Sequence, residues 1–440
     1  MTIFNLKHVY NRFIETAISW LTPERIRLYP ATICVLSFFV WGVSIAMGRG
    51  LTDASGNIIG ADFLTFYTAG KFFLKGRMME LYNIAAQAAF QKNLLAPVSF
   101  NAVCYFNYPP FATLFCATFA LGNYLAGLLL WWGTGVLALA FSLHLLRREL
   151  MALRLRSTGC LFLMSFLFFP TIVWFLYGQD TALTLLLYTI AFVMLRREND
   201  FAAGLALGLL LYKPQLAIAV GMVLIIKWRW RALIGGVIGA GIWLAIGFAI
   251  SPLVMKEYLR LIPYLFELQR RHDLIATWGY HNFYGFAALL FDGFWKKGSN
   301  ILALLLMVGG VSAVLYFWRR IDWKPGTRSW DMMMAATFAL GLLISPHLYL
   351  YDLMLLLLPL VIIWSYYPHG TRDRPLDSGP LLVWTALLYT ACFFSSSISL
   401  VQLWLSSLAG LPRAAFQCSV PIIIGWVCTV IVLSKEPCNN

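Results

Sequence analysis

The sequence predicts an all-α polytopic membrane protein with about twelve transmembrane helices, and three observations support this prediction. Hydrophobic residues make up 60% of the 440 residues, and the mean hydropathy is +0.75. Charged residues make up only 12%, whereas a soluble domain carries about 25% because its surface faces water. Several apolar runs approach the length of about 20 residues that a helix needs to cross the hydrocarbon. This composition excludes a soluble enzyme, a disordered chain and a secreted disulfide scaffold.

The apolar runs give the predicted helices in chain order. A break is expected at Lys213, because the following Pro214 lacks the N–H group that a continuous helix needs. The stretch 109–121 is short and opens with two prolines, so we expect a re-entrant or interfacial segment, or else one more spanning helix. The runs near spanning length are 30–49, 124–146, 159–177, 231–251, 299–318 and 412–433; the shorter ones are 180–195, 332–346, 350–365 and 379–395, with the broken pair 201–212 and 214–226.

The basic residues predict the orientation of these helices. The formal charge is +14, from 33 Lys and Arg against 19 Asp and Glu. In a soluble protein this excess would suggest nucleic acid, but here the basic residues lie between apolar runs, so we predict no nucleic-acid partner. All segments alternate correctly if the N-terminus, the C-terminus and the basic loops face the cytoplasm. Those loops are 147–156, 196–197, 227–231 and 319–328, with Arg372 and Arg374; the polar islands then left outside are 60–77, 108–110, 178–180, 278–282 and 345–352.

The predicted organisation is one membrane domain with short ends. Residues 1–28 are expected to form a cytoplasmic interfacial helix with an apolar stripe. Residues 29–433 form the transmembrane domain, in which 50–123 and 252–298 are large outer loops, and the first loop carries interfacial helices. Residues 434–440 form a cytoplasmic tail. The apolar stripe consists of Val9, Phe13, Ala17 and Leu21, and the eight cysteines show no CxxC pair and no metal-ligand spacing.

Asp62 is the first candidate for chemistry. It follows the first apolar run among aromatic residues, in GADFLTFYTAG. Desolvation there would raise the pKa of the carboxyl group, whereas a neighbouring cation would keep it ionised. Either environment suits a general base, and the alternative is a helix N-cap or a solvated loop residue.

Two further carboxylates and a histidine belong to the same set of polar islands. Asp180 follows Gly178-Gln179 at a helix start, so it is either an N-cap or a site residue. Asp352 lies in an apolar helix, where an unpaired charge is costly and usually functional. His347 precedes it by about one turn, so the two form either a buried structural pair or part of the Asp62 cavity.

Lys213 is the cation of interest. Irregular backbone at membrane depth survives only inside protein or along a polar cavity, and a lysine at such a break can bind phosphate. Gln215 would lie beside it, and the alternative is a lysine that snorkels to the interface. Tyr108 precedes two prolines, so it begins a helix or shapes a cavity wall.

An aromatic and amide cluster lies in the second large outer loop. It is either an aromatic belt at the membrane interface or a surface for sugar recognition, which uses aromatic faces and amide hydrogen bonds. The cluster consists of Trp278, Tyr280, His281, Asn282 and Tyr284.

These residues, taken in order, resemble a known family. An aspartate in the first outer loop is similar to the GT-C superfamily of polytopic glycosyltransferases. The succession more narrowly resembles glycosyltransferase family 87, which includes polyprenol-phosphate-mannose-dependent α-1,2-mannosyltransferases. The resemblance extends from residue 60 to 360 and rests on GADFLTFYTAGKFFLKGR, NYPPFATLFCATFAL, GQDTALTLLL, LGLLLYKPQ and SPHLYLYDLMLLLLP.

The resemblance implies a GT-C-like bundle and an inverting sugar transfer. Asp62 would deprotonate the acceptor, and Lys213 or Arg77 would stabilise the leaving lipid phosphate. The donor would be a polyprenyl-phosphate sugar, and the acceptor a lipid or a glycan. His347 falls where the family places a late site histidine. Paired carboxylates are missing from the first loop, so we expect no metal and no cofactor.

Two other functions remain open at the level of sequence. A transporter or flippase would explain the broken helix at 201–226, although the two halves of the chain show no convincing repeat. An acyltransferase would use His347 with Asp352 inside the membrane. For the transferase, we expect a multi-pass protein of the bacterial inner membrane with its site on the extracytoplasmic side.

Overall fold

The computed structural model describes residues 3–98, 103–154, 156–269, 277–291, 293–366 and 379–435. Over these residues the regular elements are helices, and β pairing is limited to isolated bridges. The predicted basic residues Arg372 and Arg374, and the end of the predicted tail, 436–440, lie outside the described residues.

The α-helices follow one another with short connections. Two 3₁₀ helices bear on the site, Leu209–Tyr212 and Leu350–Leu356. The α-helices are α1 Ile3–Trp20, α2 Pro23–Ala46, α3 Ala61–Leu74, α4 Ile84–Leu95, α5 Ala112–Phe119, α6 Tyr124–Glu149, α7 Thr158–Ser165, α8 Phe169–Tyr177, α9 Thr181–Arg196, α10 Asp200–Gly208, α11 Pro214–Ile226, α12 Trp230–Ile250, α13 Pro252–Gln269, α14 Phe283–Phe291, α15 Lys296–Arg320, α16 Arg328–Ile344, α17 Leu357–Trp364, α18 Gly379–Leu408 and α19 Ser419–Leu433.

The helices confirm the predicted fold class. Among the described residues, α2, α6, α12, α15 and α18 are long and apolar enough to cross a membrane, and α7 with α8 qualifies as a pair bent by 82°. Shorter apolar helices accompany them, among them α9, α11 and α19. The chain is therefore an all-α polytopic membrane protein.

Several helices depart from the predicted apolar runs, and three of these departures bear on the architecture. The run 159–177 was expected as one helix, but it bends sharply between α7 and α8. Pro170 stands in the first turn of α8, where its missing N–H costs nothing, so a new helix starts there. The run 379–395 continues as helix to Leu408. The segment 109–121 forms only α5, whose 8 residues are too few to cross a bilayer.

The centre of the bundle is α16. Nearly all of its side chains are buried, from Trp330 to Leu343. A helix that is apolar on every side belongs in a core, and α16 packs against α11, α15, α17 and α19. Its buried Asp331 is held by Arg196, with both bonds at 3.1 Å.

The helices bring the basic loops together at one end of the bundle. Arg196 at the end of α9 also bonds to Glu149 at the end of α6, at 3.1 Å. Lys227 at the end of α11 donates to the carbonyl of Ile321, just after α15. We call this end the basic end. The opposite end of α9 begins beside Asp180, about 22 Å away at 1.5 Å per residue.

The predicted break in the helix at Lys213 is present. The 3₁₀ turn Leu209–Tyr212 precedes Lys213, which is non-helical, and Pro214 starts α11. α10 is fixed against α12 by close backbone contact. A Cβ on Gly204 would lie 1.8 Å from the carbonyl oxygen of Ala232, so only glycine fits. The rigid α10–α12 pair therefore sets the position of Lys213.

Candidate active site

Four ionisable side chains meet at the end of the bundle opposite the basic end. Asp62 comes from α3, Asp180 from the start of α9, Lys213 from the helix break, and Asp352 from the 3₁₀ helix Leu350–Leu356. The Lys213 ammonium group donates to Asp180 at 2.6 Å and to Asp352 at 3.2 Å. Asp62 interacts electrostatically with all three. The fold thus joins residues that are far apart in sequence.

A tight turn positions Asp180. Gly178 ends α8 in the left-handed conformation, with φ +69, which glycine adopts without steric cost. Asp180 then occupies the N-cap position of α9, but its side chain makes no capping hydrogen bond. Its carboxylate binds Lys213 instead. The N-cap role considered from sequence is therefore wrong for the side chain.

Gln179 holds the Asp62 carboxylate. Its side-chain amide donates to Asp62 Oδ2 at 2.9 Å. The same amide group accepts from the backbone N–H of Asp180 at 3.2 Å, which fixes its orientation. Its backbone carbonyl accepts from the indole of Trp174 at 2.7 Å. Gln179 is thus anchored on three sides and presents one N–H to Asp62.

The surroundings of Asp62 suit proton transfer near neutral pH. Burial raises the pKa of this carboxyl to about 6; the Gln179 hydrogen bond opposes the rise, and the charge of Asp352 adds to it. Asp62 nevertheless keeps partial exposure, whereas Asp180, Lys213 and Asp352 are buried. A carboxylate that is reachable and titrates close to the working pH can act as a general base.

Lys213 holds two buried carboxylates in place. Asp352 also accepts from the hydroxyl of Thr181 at 3.0 Å. Two charges buried together need such additional hydrogen bonds, because their attraction alone does not offset the loss of hydration. An ammonium group has three N–H donors, and the two carboxylates use two of them.

Tyrosine rings border the charged cluster. Tyr351 lies 5.6 Å from Tyr349 and 6.2 Å from Tyr177 between ring centroids, and Tyr349 stacks on Tyr280 at 4.5 Å. Tyr108 stacks on Tyr212 at 6.4 Å between ring centroids and interacts electrostatically with Asp180. Such walls offer apolar faces with hydroxyl groups at their edges, a combination that suits a sugar.

His347 belongs to this aromatic wall. Its ring packs edge-on against Tyr280 at 5.4 Å and Tyr349 at 4.9 Å. Burial lowers the pKa of His347 to about 4, with opposing influences from Asp352 and Lys213. The imidazole is therefore neutral at physiological pH and lies within electrostatic reach of the cluster, and its contact with substrate stays a prediction.

Two other predicted residues support the wall from behind. His281 is fully buried, and its ring nitrogens lie 2.8 Å from Ser419 Oγ and 3.0 Å from Ser396 Oγ. Asn282 donates to the carbonyl of Ser345 at 2.8 Å. The backbone N–H of His281 donates to the carbonyl of Leu348 at 2.8 Å, so both residues hold the segment that carries His347. A direct substrate contact for either stays a prediction.

Arg77 and Gln215 are not joined to the cluster by a hydrogen bond among the described residues. Arg77 pairs with Glu80 and packs over the ring of Phe72 at 4.7 Å. Gln215 lies half-buried in the first turn of α11. Their proposed contacts with substrate stay predictions.

Sequence reasoning missed Thr181 and Tyr349. Thr181 directly follows Asp180, so the motif GQDT contained it, but its hydroxyl partner, Asp352, lies 171 residues away. Tyr349 and Tyr351 lie two residues apart in HLYLYD. Aromatic residues with this spacing also occur in the aromatic belt at a membrane interface, so the sequence did not mark Tyr349 as part of a site.

The fold and the cluster define a membrane enzyme with a candidate general base and aromatic walls. The family model of glycosyltransferase family 87 matches residues 106–346, more than half of the chain. The protein belongs to glycosyltransferase family 87 and is a membrane glycosyltransferase, as predicted; this favours the transferase over the transporter and the acyltransferase. Asp180 and Lys213 lie within the matched residues, and His347 follows directly. A search of curated proteins found no matching relative.

Proposed function

We propose that this glycosyltransferase moves a sugar from a polyprenyl-phosphate donor to a lipid or polysaccharide acceptor on the extracytoplasmic face. The sugar is mannose or another hexose or pentose. The observation that carries the proposal is Asp62, partly exposed and held by Gln179 next to the Asp180–Lys213–Asp352 cluster.

The choice of donor follows from the two ends of the bundle. Arginines at the ends of α6 and α9 favour a cytoplasmic basic end. The cluster at the opposite end would then face the outside. Nucleotide sugars are cytoplasmic, so a sugar used outside has to arrive on a lipid that has crossed the membrane.

The transfer inverts the anomeric centre. The acceptor hydroxyl gives its proton to Asp62, and its oxygen forms a bond to the anomeric carbon. The bond from that carbon to the phosphate oxygen breaks on the opposite side, and the electron pair leaves with polyprenyl phosphate. Gln179 keeps the carboxylate ionised and correctly oriented until the proton arrives.

The leaving phosphate needs electrostatic stabilisation. Lys213 has one N–H donor beyond the two that Asp180 and Asp352 use. Tyr108 and Tyr351 interact electrostatically with the same cluster, and their hydroxyl groups can donate to phosphate oxygens. Arg77 is a second cation for the donor, from the first outer loop.

The test is release of polyprenyl phosphate from a panel of labelled polyprenyl-phosphate sugars by the purified protein. We expect Asp62→Asn to abolish release and to leave thermal stability intact. Asp53→Asn is the matched control, because Asp53 caps backbone N–H groups in the same outer loop, at 2.8 and 2.9 Å. Wild-type turnover by Asp62→Asn would remove Asp62 as the base. Failure of the wild type with every donor would refute the polyprenyl-phosphate donor.

A further inference from the structure

A large apolar cleft lies at the basic end, away from the charged cluster. Its volume is about 2130 Å³. It is bounded by α1, the first half of α2, α6 at Leu143, α7 with the following Leu167 and Phe168, α17 and α18. The walls are formed by residues such as Ile33, Leu161, Phe168, Leu360 and Phe393.

The cleft exists because α2 is attached to the bundle only in part. No residue of α2 is buried. Its second half packs through Trp41, which lies 5.8 Å from Trp132 and 6.1 Å from Phe175 between ring centroids. Its first half is held through α1, whose Ile14 and Ile18 contact Gly379 at the start of α18. Between these two attachments, α2 stands away from α7 and α8.

The depth of the cleft in the membrane indicates which molecules can occupy it. α2 and α18 are both candidate membrane spans, so the space between them lies at the depth of the hydrocarbon. An apolar cavity does not take up water readily, and an empty one forfeits the dispersion contacts of its walls. Hydrocarbon chains from the bilayer are apolar, so they can fill the cleft without water and make dispersion contacts with its walls.

The mouth of the cleft carries positive charge. Arg25, Arg27 and Arg156 line it, against a single acidic side chain among its lining residues, Glu15. Arg25 lies over the ring of Trp20 at 5.1 Å and so joins α1 to α2. Arg27 and Arg156 are exposed. Arginine side chains at a membrane surface attract anionic headgroups, and their guanidinium groups match phosphate geometry.

We propose that this cleft binds an anionic phospholipid from the leaflet at the basic end. The headgroup phosphate is held by Arg27 and Arg156, and the acyl chains lie along α7, α17 and α18. The lipid thereby fills the space between α2 and the bundle and secures α1. This site is separate from the charged cluster, and the proposal does not depend on the sugar donor.

The experiment uses the full chain, purified in detergent, with phosphatidylglycerol or phosphatidylcholine added in mixed micelles. Thermal melting and native mass spectrometry report stabilisation and bound lipid. We expect phosphatidylglycerol to raise the melting temperature and to be retained as one molecule per chain. Arg27→Gln with Arg156→Gln should lower that retention at least about tenfold, since each arginine at a membrane surface contributes attraction.

The matched control removes the same charge from another loop at the basic end. Arg319→Gln with Arg320→Gln changes two exposed arginines that do not line the cleft, and retention should stay at the wild-type level. Ala386→Trp fills the cleft without changing charge, so it should also displace the lipid. Equal stabilisation by phosphatidylcholine, retention that survives both cleft variants, or polyprenyl phosphate as the bound mass would each overturn the proposal.

Discussion

The hydrogen bond from Gln179 to Asp62 gives the sharpest test of the proposed mechanism. A general base works only while it is ionised, so the rate of transfer should fall as the pH drops through the pKa of Asp62, about 6. Gln179→Leu removes the amide that donates to the ionised carboxylate at 2.9 Å. The ionised form is then less favoured, so the pKa rises and the acidic limb of the pH–rate profile moves to higher pH.

The size of this movement follows from the energy of the hydrogen bond. A hydrogen bond to a charged group contributes about 1.5–3 kcal/mol, and one pKa unit corresponds to about 1.36 kcal/mol. The acidic limb should therefore move up by about one to two pH units. At pH 6.5 the variant should be roughly three- to twenty-fivefold slower than the wild type, and near pH 9 the two rates should converge.

The assay is kcat/KM for release of polyprenyl phosphate between pH 5 and 9.5. Gln91→Leu is the matched control, because Gln91 is a buried glutamine of the same outer loop whose amide donates to the backbone carbonyl of Cys104 at 2.8 Å. Gln91→Leu should lower the thermal stability of the protein without moving the acidic limb of the pH–rate profile. A limb that stays in place in Gln179→Leu, or a rate loss of equal size at every pH, would refute the role of this hydrogen bond.

Two further predictions concern the charge network and the orientation. Lys213→Met leaves Asp180 and Asp352 buried without a cation, so it should lower the free energy of unfolding by about 3–5 kcal/mol. Adding Asp180→Asn and Asp352→Asn should restore most of that loss in thermal melts. A melting temperature equal to that of the wild type for Lys213→Met alone would contradict this prediction. Ser55 and Arg148 are both exposed. In a background without native cysteines, Ser55→Cys should react with an impermeant maleimide in intact cells, whereas Arg148→Cys should react only after permeabilisation. The reverse labelling would contradict the proposed orientation.

The sequence was informative about single residues and less so about their partners. Asp352 is a candidate because an unpaired charge in an apolar helix is costly, and Lys213 because it marks a helix break. Asp62 and Asp180 are candidates because of their places in the first outer loop and at a helix start. Their meeting depends on how α3, α9, α11 and the segment after α16 pack, and no local pattern reports that packing. The N-cap pattern at Asp180 was the competing local signal, and the tertiary contact with Lys213 prevailed.

The serines of α18 explain why the helix is longer than the predicted run and how its neighbours are held. The predicted apolar run 379–395 stops at the first of three consecutive serines, yet the helix continues to Leu408. Ser395 and Ser396 are buried and face the elements beside them: Ser396 binds the ring of His281, and Ser395 bonds to Ser419 at 3.3 Å. Hydropathy treats these serines as the end of a span, and it cannot show that they pair across helices.

The charge balance of the cluster singles out Asp62 among its three carboxylates. Asp180 and Asp352 are buried, and each already binds the Lys213 ammonium group. Among the described residues, the hydrogen bond to the Asp62 carboxylate comes from a neutral amide. Asp62 also keeps partial exposure, which the other two lack. Asp62 is therefore the carboxylate of the cluster that an incoming hydroxyl group can reach, and it is the one placed to accept the proton of that hydroxyl.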